Sequence, residues 1–256
     1  MGIGPLLRTW RTKRRLSQLD LALEAGVSTR HLSFLETGRS RPSEQMVLHL
    51  AEQLEVPLRE RNRLLLAAGH APAYAEHGFD APELGPVRAA LQRVLDAHQP
   101  FPAVVVDRGW NLVAANASSE LFTRHVDPAL LAPPANVLRA SLHPDGLAPR
   151  IANLAEWRAH LLERLRRQVD VTGDEALAAL HAELQAYPAP EAAPARHDPS
   201  LDLAVPLRFR ADDGELAFIS TVATFGTAVD VTLAELSIEA FLPADEATAA
   251  ALGVGG

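Results

Sequence analysis

Two short amphipathic segments separated by one glycine constrain the start of this chain more than any other feature. The first, Ser17-Gln18-Leu19-Asp20-Leu21-Ala22-Leu23, has a capping-box-like start in which the serine hydroxyl serves an orphan amide of a new helix. Leu19, Ala22 and Leu23 recur at i, i+3, i+4 and are expected to face inward. Gly26 stops this helix, because glycine takes the left-handed conformation without steric penalty. The chain restarts almost at once. Ser28 is placed to cap, and Val27 and Leu32 stand at the positions of a hydrophobic staple, so a third helix is expected to begin at Thr29 and to end at Gly38. With Leu32 and Leu35 inward, Thr29, Arg30, Ser33 and Phe34 point out.

The flanking sequence is helical as well. Leu6, Leu7 and Trp10 after Pro5 predict a helix over 5–15 with a basic exposed face. Val47, Leu50, Ala51 and Leu54 predict a fourth, and a fifth starts at Pro57 and closes at Gly69. Five short helices containing two joined by a tight turn around glycine describe a helix-turn-helix DNA reader. The net charge of −8 would oppose nucleic acid if it were even, but it is not. Residues 1–70 hold 11 Lys/Arg against 7 Asp/Glu, a net of +4, and the remainder holds 13 against 25, a net of −12. Arg8, Arg11, Lys13, Arg14, Arg15, Arg30, Arg39 and Arg41 all precede residue 42 and suit a phosphate-contacting surface, the alternative being an ordinary solvated basic face.

Leu16-Ser17-Gln18-Leu19-Asp20-Leu21-Ala22, Gly26-Val27-Ser28 and Leu35-Glu36-Thr37-Gly38-Arg39-Ser40-Arg41-Pro42 resemble the phage-repressor-like (XRE) helix-turn-helix family over residues 5–69. The resemblance implies a lambda-repressor-like five-helix domain. It also implies DNA contacts from Arg15, Gln18, Ser28, Thr29, Arg30, Ser33, Phe34, Arg39 and Arg41. Gln18 would grip phosphate and buttress helix three, and Arg30 would read guanine O6 and N7, with a phosphate contact as its alternative. Phe34 replaces the usual polar residue and could meet a thymine methyl or cover the core. Arg39 and Arg41 would position through phosphates. Glu36 is expected to hold the fold by bonding an internal arginine or amide.

At 256 residues and 48% apolar, the chain has room for a second core. The expected organisation is a DNA-binding domain over 1–70, a linker over 71–82 that loses periodicity and gains proline and glycine, and an α+β domain over 83–252. Residues 84–98 carry Val87, Leu91, Val94 and Leu95 at helical spacing. Ala103–Asp107 and Trp110–Asn116 read as a hairpin around Arg108-Gly109, leading into a helix over 117–124. Helices follow over 153–169, with Trp157, Leu161, Leu162 and Leu165, and over 174–187; then comes a Pro/Ala-rich spacer ending at Pro199. Strands over 203–210 and 215–224 flank Asp212-Asp213-Gly214, a hairpin turn. Thr232-Leu-Ala-Glu235 offers a capping box while Leu236, Ile238 and Ala240 alternate, so helix and strand both fit 232–242.

Composition carries this half no further than α+β. Pro102-Ala-Val-Val-Val-Asp-Arg-Gly-Trp-Asn-Leu-Val-Ala-Ala-Asn116 resembles the ligand-binding domain of MmyB-like regulators, although residues 143–150 depart from that pattern. The resemblance implies a PAS-like pocket for an amphipathic, fatty-acid-like ligand. Trp110, Phe122, Trp157, Phe218 and Phe225 are the candidate walls, and Asn116, Arg139, His143 and Arg150 the candidate polar groups; plain core and surface roles are the alternatives for each.

An enzyme fused to a DNA-binding module is the rival class. No Gly-x-Ser-x-Gly, His-Glu-x-x-His, P-loop or dinucleotide fingerprint occurs, there is no cysteine, and the ten histidines are scattered, His181 and His197 being too far apart for a metal pair. No catalytic residue, metal or cofactor is expected. An antitoxin would carry a disordered tail where this chain has a second domain. No uninterrupted apolar run of membrane-spanning length and no secretory signal occurs, so a cytoplasmic location without a membrane partner is expected. The implied partners are double-stranded DNA, a small ligand and a second copy of the chain, two recognition helices about 34 Å apart meeting a near-palindromic operator. The alternative is a second domain that only dimerises or binds a protein.

Overall fold

Serine caps decide where three of the first five helices begin. In the computed structural model, which describes residues 2–188 and 205–254, the first five are α1 (Ile3–Lys13), α2 (Gln18–Glu24), α3 (Thr29–Glu36), α4 (Glu44–Gln53) and α5 (Leu58–Ala68). The Ser17 hydroxyl accepts from the Asp20 amide and the Asp20 carboxylate accepts from the Ser17 amide, a complete capping box. Ser28 and Ser43 accept from the amides of His31 and Met46. Gly26 closes α2 at φ 62°. Helix one lies two residues earlier than the spacing predicts. Pro5 still falls in its first turn, and Arg15 leaves helical geometry at φ 58°.

These helices belong to a unit made of the residues up to Phe79 together with Gly226–Ala234. Its core gathers Leu7, Trp10, Leu21, Leu32, Leu35 and Leu50. Gly4 lets α1 touch the end of α3, where an added Cβ would lie 2.4 Å from the Glu36 carbonyl oxygen. The inward face of α2 corrects the sequence expectation: Leu21, Ala22 and Ala25 are buried, whereas Leu19 and Leu23 are 57% and 72% exposed. Leucines at 19, 21 and 23 flank both sides of a seven-residue helix, so two faces satisfy the spacing and only the neighbouring helices choose between them.

The other unit comprises Asp80–Phe225 and the residues from Glu235 onward. It opens with α6 (Gly85–Ala97), β1 (Ala103–Val106) and β2 (Leu112–Ala115). A 3-10 turn leads into α7 (Glu120–Thr123), followed by α8 (Pro128–Leu131), α9 (Val137–Leu142), α10 (Leu154–Thr172) and α11 (Glu175–Ala186). Next come β3 (Leu207–Ala211) and β4 (Gly214–Thr224), then a single turn α12 (Val231–Ala234) that belongs to the first unit, and finally β5 (Ser237–Pro243) and α13 (Glu246–Ala251).

The expected hairpins form at both places. Asp107 Oδ1 accepts from the amides of Gly109 and Asn111, which bends the chain between β1 and β2, and Gly214 at φ 143° turns the second. Yet the two hairpins are not neighbours. The antiparallel sheet runs β2-β1-β5-β4-β3, with β5 inserted so that Ile238 pairs with both Val105 and Ala223. This settles residues 232–242 as one helical turn followed by a strand. Ile238, Glu239 and Ala240 are buried in succession, as befits a central strand covered on both faces.

Two sequence expectations are corrected here, and one helix is new. Val94 is 39% exposed while Leu84, just ahead of α6, joins Leu91 and Leu95 in the core. Thr232 does not cap: Asp230 Oδ1 accepts from the amides of Thr232 and Leu233 instead. The terminal helix α13, capped by Asp245 at Thr248, has no counterpart in the sequence analysis. Along α10, Trp157, Leu161 and Leu165 are buried as the spacing requires. Phe122 meets Phe209, Phe218 and Phe241 edge-on at 5.2, 5.6 and 5.3 Å. Most of the Pro/Ala-rich spacer, Leu203 and His197 lie outside the described residues.

Candidate nucleic-acid interface and apolar cavity

The α2–α3 pair is held by one carboxylate. Glu36 is buried and accepts at Oε1 from Arg11 Nε (2.6 Å), and at Oε2 from Arg11 Nη2 (3.0 Å) and Gln18 Nε2 (2.8 Å). Burial opposes its charge, but the bonds from Arg11 and Gln18 and the Arg11 charge outweigh it and hold the pKa below the ordinary value. Gln18, at the start of α2, thus ties α1, α2 and α3 together. Glu36 bonds both an arginine and an amide. Arg14 also turns inward, donating from Nε and Nη2 to the carbonyls of Leu54 and Glu55 at the end of α4.

Arg8, Lys13, Arg15, Arg30, Arg39 and Arg41 remain exposed, as do Ser28 and Thr29; Ser33 and Phe34 are half-buried. The Phe34 ring is a platform for two guanidiniums, Arg30 at 5.3 Å and Arg39 at 5.9 Å from its centroid. The amides of Arg39 and Ser40 donate to the Phe34 carbonyl, which folds the following loop back on α3. Arg30, Phe34 and Arg39 therefore form one cluster, which leaves Phe34 outside the core.

The segment 226–234 carries a separate constellation. Val231 is fully buried and its amide donates to the Ala75 carbonyl. Asp230 Oδ2 sits 2.8 Å from His77 Nδ1, and the Thr232 hydroxyl donates to the His77 carbonyl. Burial would raise the Asp230 pKa, but the His77 ring and the amides of Leu233, His77 and Thr232 outweigh it and hold it down.

In the other unit an apolar cavity of about 110 Å³ lies among β1, β2, β5 and the helices α7 to α10. Phe122, Trp157, Leu138, Leu161, Val104 and Phe241 supply much of its wall. Its one charged wall residue among the described residues is Glu239, whose Oε1 accepts from Arg164 Nη1 at 3.0 Å. Arg164 in turn lies 4.4 Å from the centroid of Trp110. The nearby His160 stacks on Trp157, and burial pushes its pKa down.

Of the residues singled out for the pocket, Phe122 and Trp157 line the cavity. The others stand elsewhere. Trp110 donates from Nε1 to Gln168, and Phe218 is fully buried core. Asn116 is spent on the backbone, accepting from the Ala103 amide and donating to the carbonyls of Leu95 and Phe101. Arg139 pairs with Glu183, which also holds the Tyr187 hydroxyl; burial and that bond push Tyr187 up to about 12. His143 packs edge-on against Tyr187, Arg150 pairs with Asp212, and Phe225 is half-buried beyond the end of β4. Glu239 was not singled out from sequence. Its signal is a carboxylate inside the apolar run Ile238-Glu-Ala-Phe-Leu242, a placement that burial rarely permits without a partner.

A five-helix helix-turn-helix unit and an α+β unit holding an apolar cavity fit a DNA-binding transcription regulator. The family comparisons agree: residues 7–61 match the helix-turn-helix model and residues 87–253 match the MmyB-like transcription regulator ligand binding domain. The second match spans more than half of the chain, which belongs to the MmyB-like transcription regulators. No curated protein matches the chain. Among the described residues no helix is long and apolar enough to cross a membrane.

Proposed function

We propose that this regulator binds a near-palindromic operator as a homodimer, reading bases with the N-terminal half of α3. The observation that carries this is the Arg30–Phe34–Arg39 cluster on the exposed side of α3. Arg30 is the base-reading residue, since a guanidinium bonds bidentately to guanine O6 and N7. Ser28, Thr29 and Ser33 flank it, and Arg15, Gln18, Arg39 and Arg41 serve phosphate contacts that fix position without specifying sequence. Selection from a random duplex library tests this with the full chain. Wild-type protein is expected to enrich paired half-sites about one helical turn apart, and Arg30→Ala to lose the preference with an unchanged circular dichroism spectrum. Retained preference overturns the assignment.

The second part of the proposal is that a small amphipathic ligand in the cavity changes operator affinity. Support comes from connectivity: β5 brings Glu239 and Phe241 to the cavity and follows directly on α12, which Asp230, Val231 and Thr232 fasten to residues 75–77. A ligand that displaced β5 would strain that attachment. The expected coupling is about 1–3 kcal/mol, or roughly 5- to 150-fold in affinity. Operator affinity that is identical before and after ligand stripping and re-addition favours a second domain that only dimerises or binds protein.

A further inference from the structure

The sheet shields both of its outermost strands. Residues 135–136 run beside β2, where the Leu112 amide donates to the Ala135 carbonyl and Asn111 bridges to Asn136. Residues 151–153 run beside β3: Ile151 bridges to Phe209, the Ala152 amide donates to the Arg208 carbonyl, and Asn153 Oδ1 accepts from the Arg208 amide. The open edge lies further in. β3 pairs with β4 only over residues 214–218, while β5 follows β4 as far as Thr224, so among the described residues nothing pairs with the other side of residues 219–224. Residues 221–224 are exposed without a break. Alternation along the strand assigns the free groups. The Phe241 amide donates to the Pro102 carbonyl on the β1 side, and the Ala244 amide donates to the Ala217 carbonyl on the β4 side. Ile219, Thr221 and Ala223 therefore bond β5, and Ser220, Val222 and Thr224 turn their N–H and C=O groups outward.

We propose that this edge is where two copies of the chain join, their β4 strands pairing antiparallel about a two-fold axis at Val222. The inference rests on the homodimer proposed above and names its interface. A strand paired antiparallel with its own copy is related to it by a two-fold axis, so the contact closes at a dimer. In this register Val222 faces its own counterpart, Ser220 and Thr224 face each other's, and every outward N–H and C=O of both copies finds a partner. β-Branched pairs and Ser/Thr hydroxyl pairs are favourable cross-strand neighbours. Charge agrees with a second copy as the occupant. No charged side chain stands between Glu215 and Asp230, although the chain beyond residue 70 carries a net of −12. Exposed strand edges are ordinarily guarded by a lysine, a proline, a bulge or a covering loop. Residues 219–224 contain neither lysine nor proline, and their register with β5 is unbroken. Thr224 also stands two residues before Gly226, where the chain enters the DNA-binding unit, so the join lies next in sequence to the segment fastened there.

The test is sedimentation velocity of the full chain over a range of micromolar concentrations, for wild type and for Val222→Lys, which sets two ammonium groups face to face. Wild type is expected to sediment as a dimer, and the variant to need roughly tenfold more protein to do so, with an unchanged circular dichroism spectrum. A second variant keeps the test decisive if the lysine variant folds poorly. The chain has no cysteine, so Val222→Cys introduces a single thiol. Across a hydrogen-bonded pair the Cα atoms stand about 5.5 Å apart, within reach of a disulfide. Mild oxidation is expected to link this variant into a reducible dimer roughly tenfold faster than Leu23→Cys, a control at an exposed position on α2. Undiminished association of a folded Val222→Lys, or Val222→Cys linking no faster than the control, overturns the β4 interface and leaves the homodimer standing. A wild type that is monomeric throughout also overturns the interface, and the operator selection described above then decides separately whether two copies meet on DNA.

Discussion

Each unit buries a glutamate against an arginine, and the two pairs do opposite things. Glu36 is enclosed: Arg11 grips both oxygens, Gln18 adds a third donor, and Arg11 Nη1 goes on to the Leu16 carbonyl. Side-chain exposures of 10% and 2% leave the pair little access to water. Glu239 receives one donor, Arg164 Nη1, from an arginine that is 24% exposed, and the residue stands in the wall of the cavity. Three donors to one carboxylate lock three helices together; a single donor ties Glu239 on β5 to Arg164 on α10. The number of donors reaching a carboxylate, and not burial alone, sets how firmly it holds its neighbours.

The largest expected effect tests that contrast at its root. Glu36→Ala strands the Arg11 guanidinium in the core and is expected to cost about 3–5 kcal/mol of stability in urea denaturation. Glu239→Ala leaves the more accessible Arg164 and is expected to cost about 1–3 kcal/mol. Equal losses would break the comparison. Next in size, Phe34→Ala removes the ring between Arg30 and Arg39. A cation–π contact at an exposed site is worth about 0.5–1 kcal/mol, so operator affinity in fluorescence anisotropy is expected to fall roughly two- to fivefold with little change in folding. An unchanged affinity would mean that the guanidiniums need no platform.

Acid offers a sharper view of Asp230, whose carboxyl is held below its ordinary range. A folded pKa below the unfolded one gives stability that is present above the unfolded value, about 3.9 for aspartate. That stability is lost as pH falls through the folded value. The attachment of residues 226–234 by Asp230 is therefore intact above about pH 4 and weakens below it. Asp230→Asn, which keeps an oxygen for the Thr232 and Leu233 amides, should flatten this part of the acid stability profile. Parallel wild-type and variant profiles would remove Asp230 from the account. The smallest effect belongs to Leu23→Ser: the side chain is 72% exposed, and stability is expected to stay within about 0.5 kcal/mol.

Much of the first unit was legible because its signals are local. Ser17 caps Asp20 three residues on, Ser28 caps His31, and Gly26 ends a helix two residues before the next cap. Each interaction spans less than one helical turn, so the order of residues nearly dictates it. The α2 face misled because seven residues carry leucines on both flanks, and periodicity cannot choose between two apolar sides. In the second unit the hairpin at Asp212-Asp213-Gly214 was legible for the same local reason. Glu239 was passed over as a site residue because a single acid in a strand is uninformative until its partner is known, and Arg164 lies 75 residues away in sequence.

By itself, the sequence determined the two-part division of charge, the five short helices with their outward Arg30, and the two β-hairpins. Backbone conformation and side-chain capping over a few residues suffice for those. Tertiary structure alone decided that β5 enters between β1 and β4, that Asp230 reaches His77 across 153 positions, and that Glu239 meets Arg164 in the wall of a cavity. Such long-range contacts depend on which apolar surfaces pack together to exclude water, and packing is a property of the assembled chain rather than of any segment.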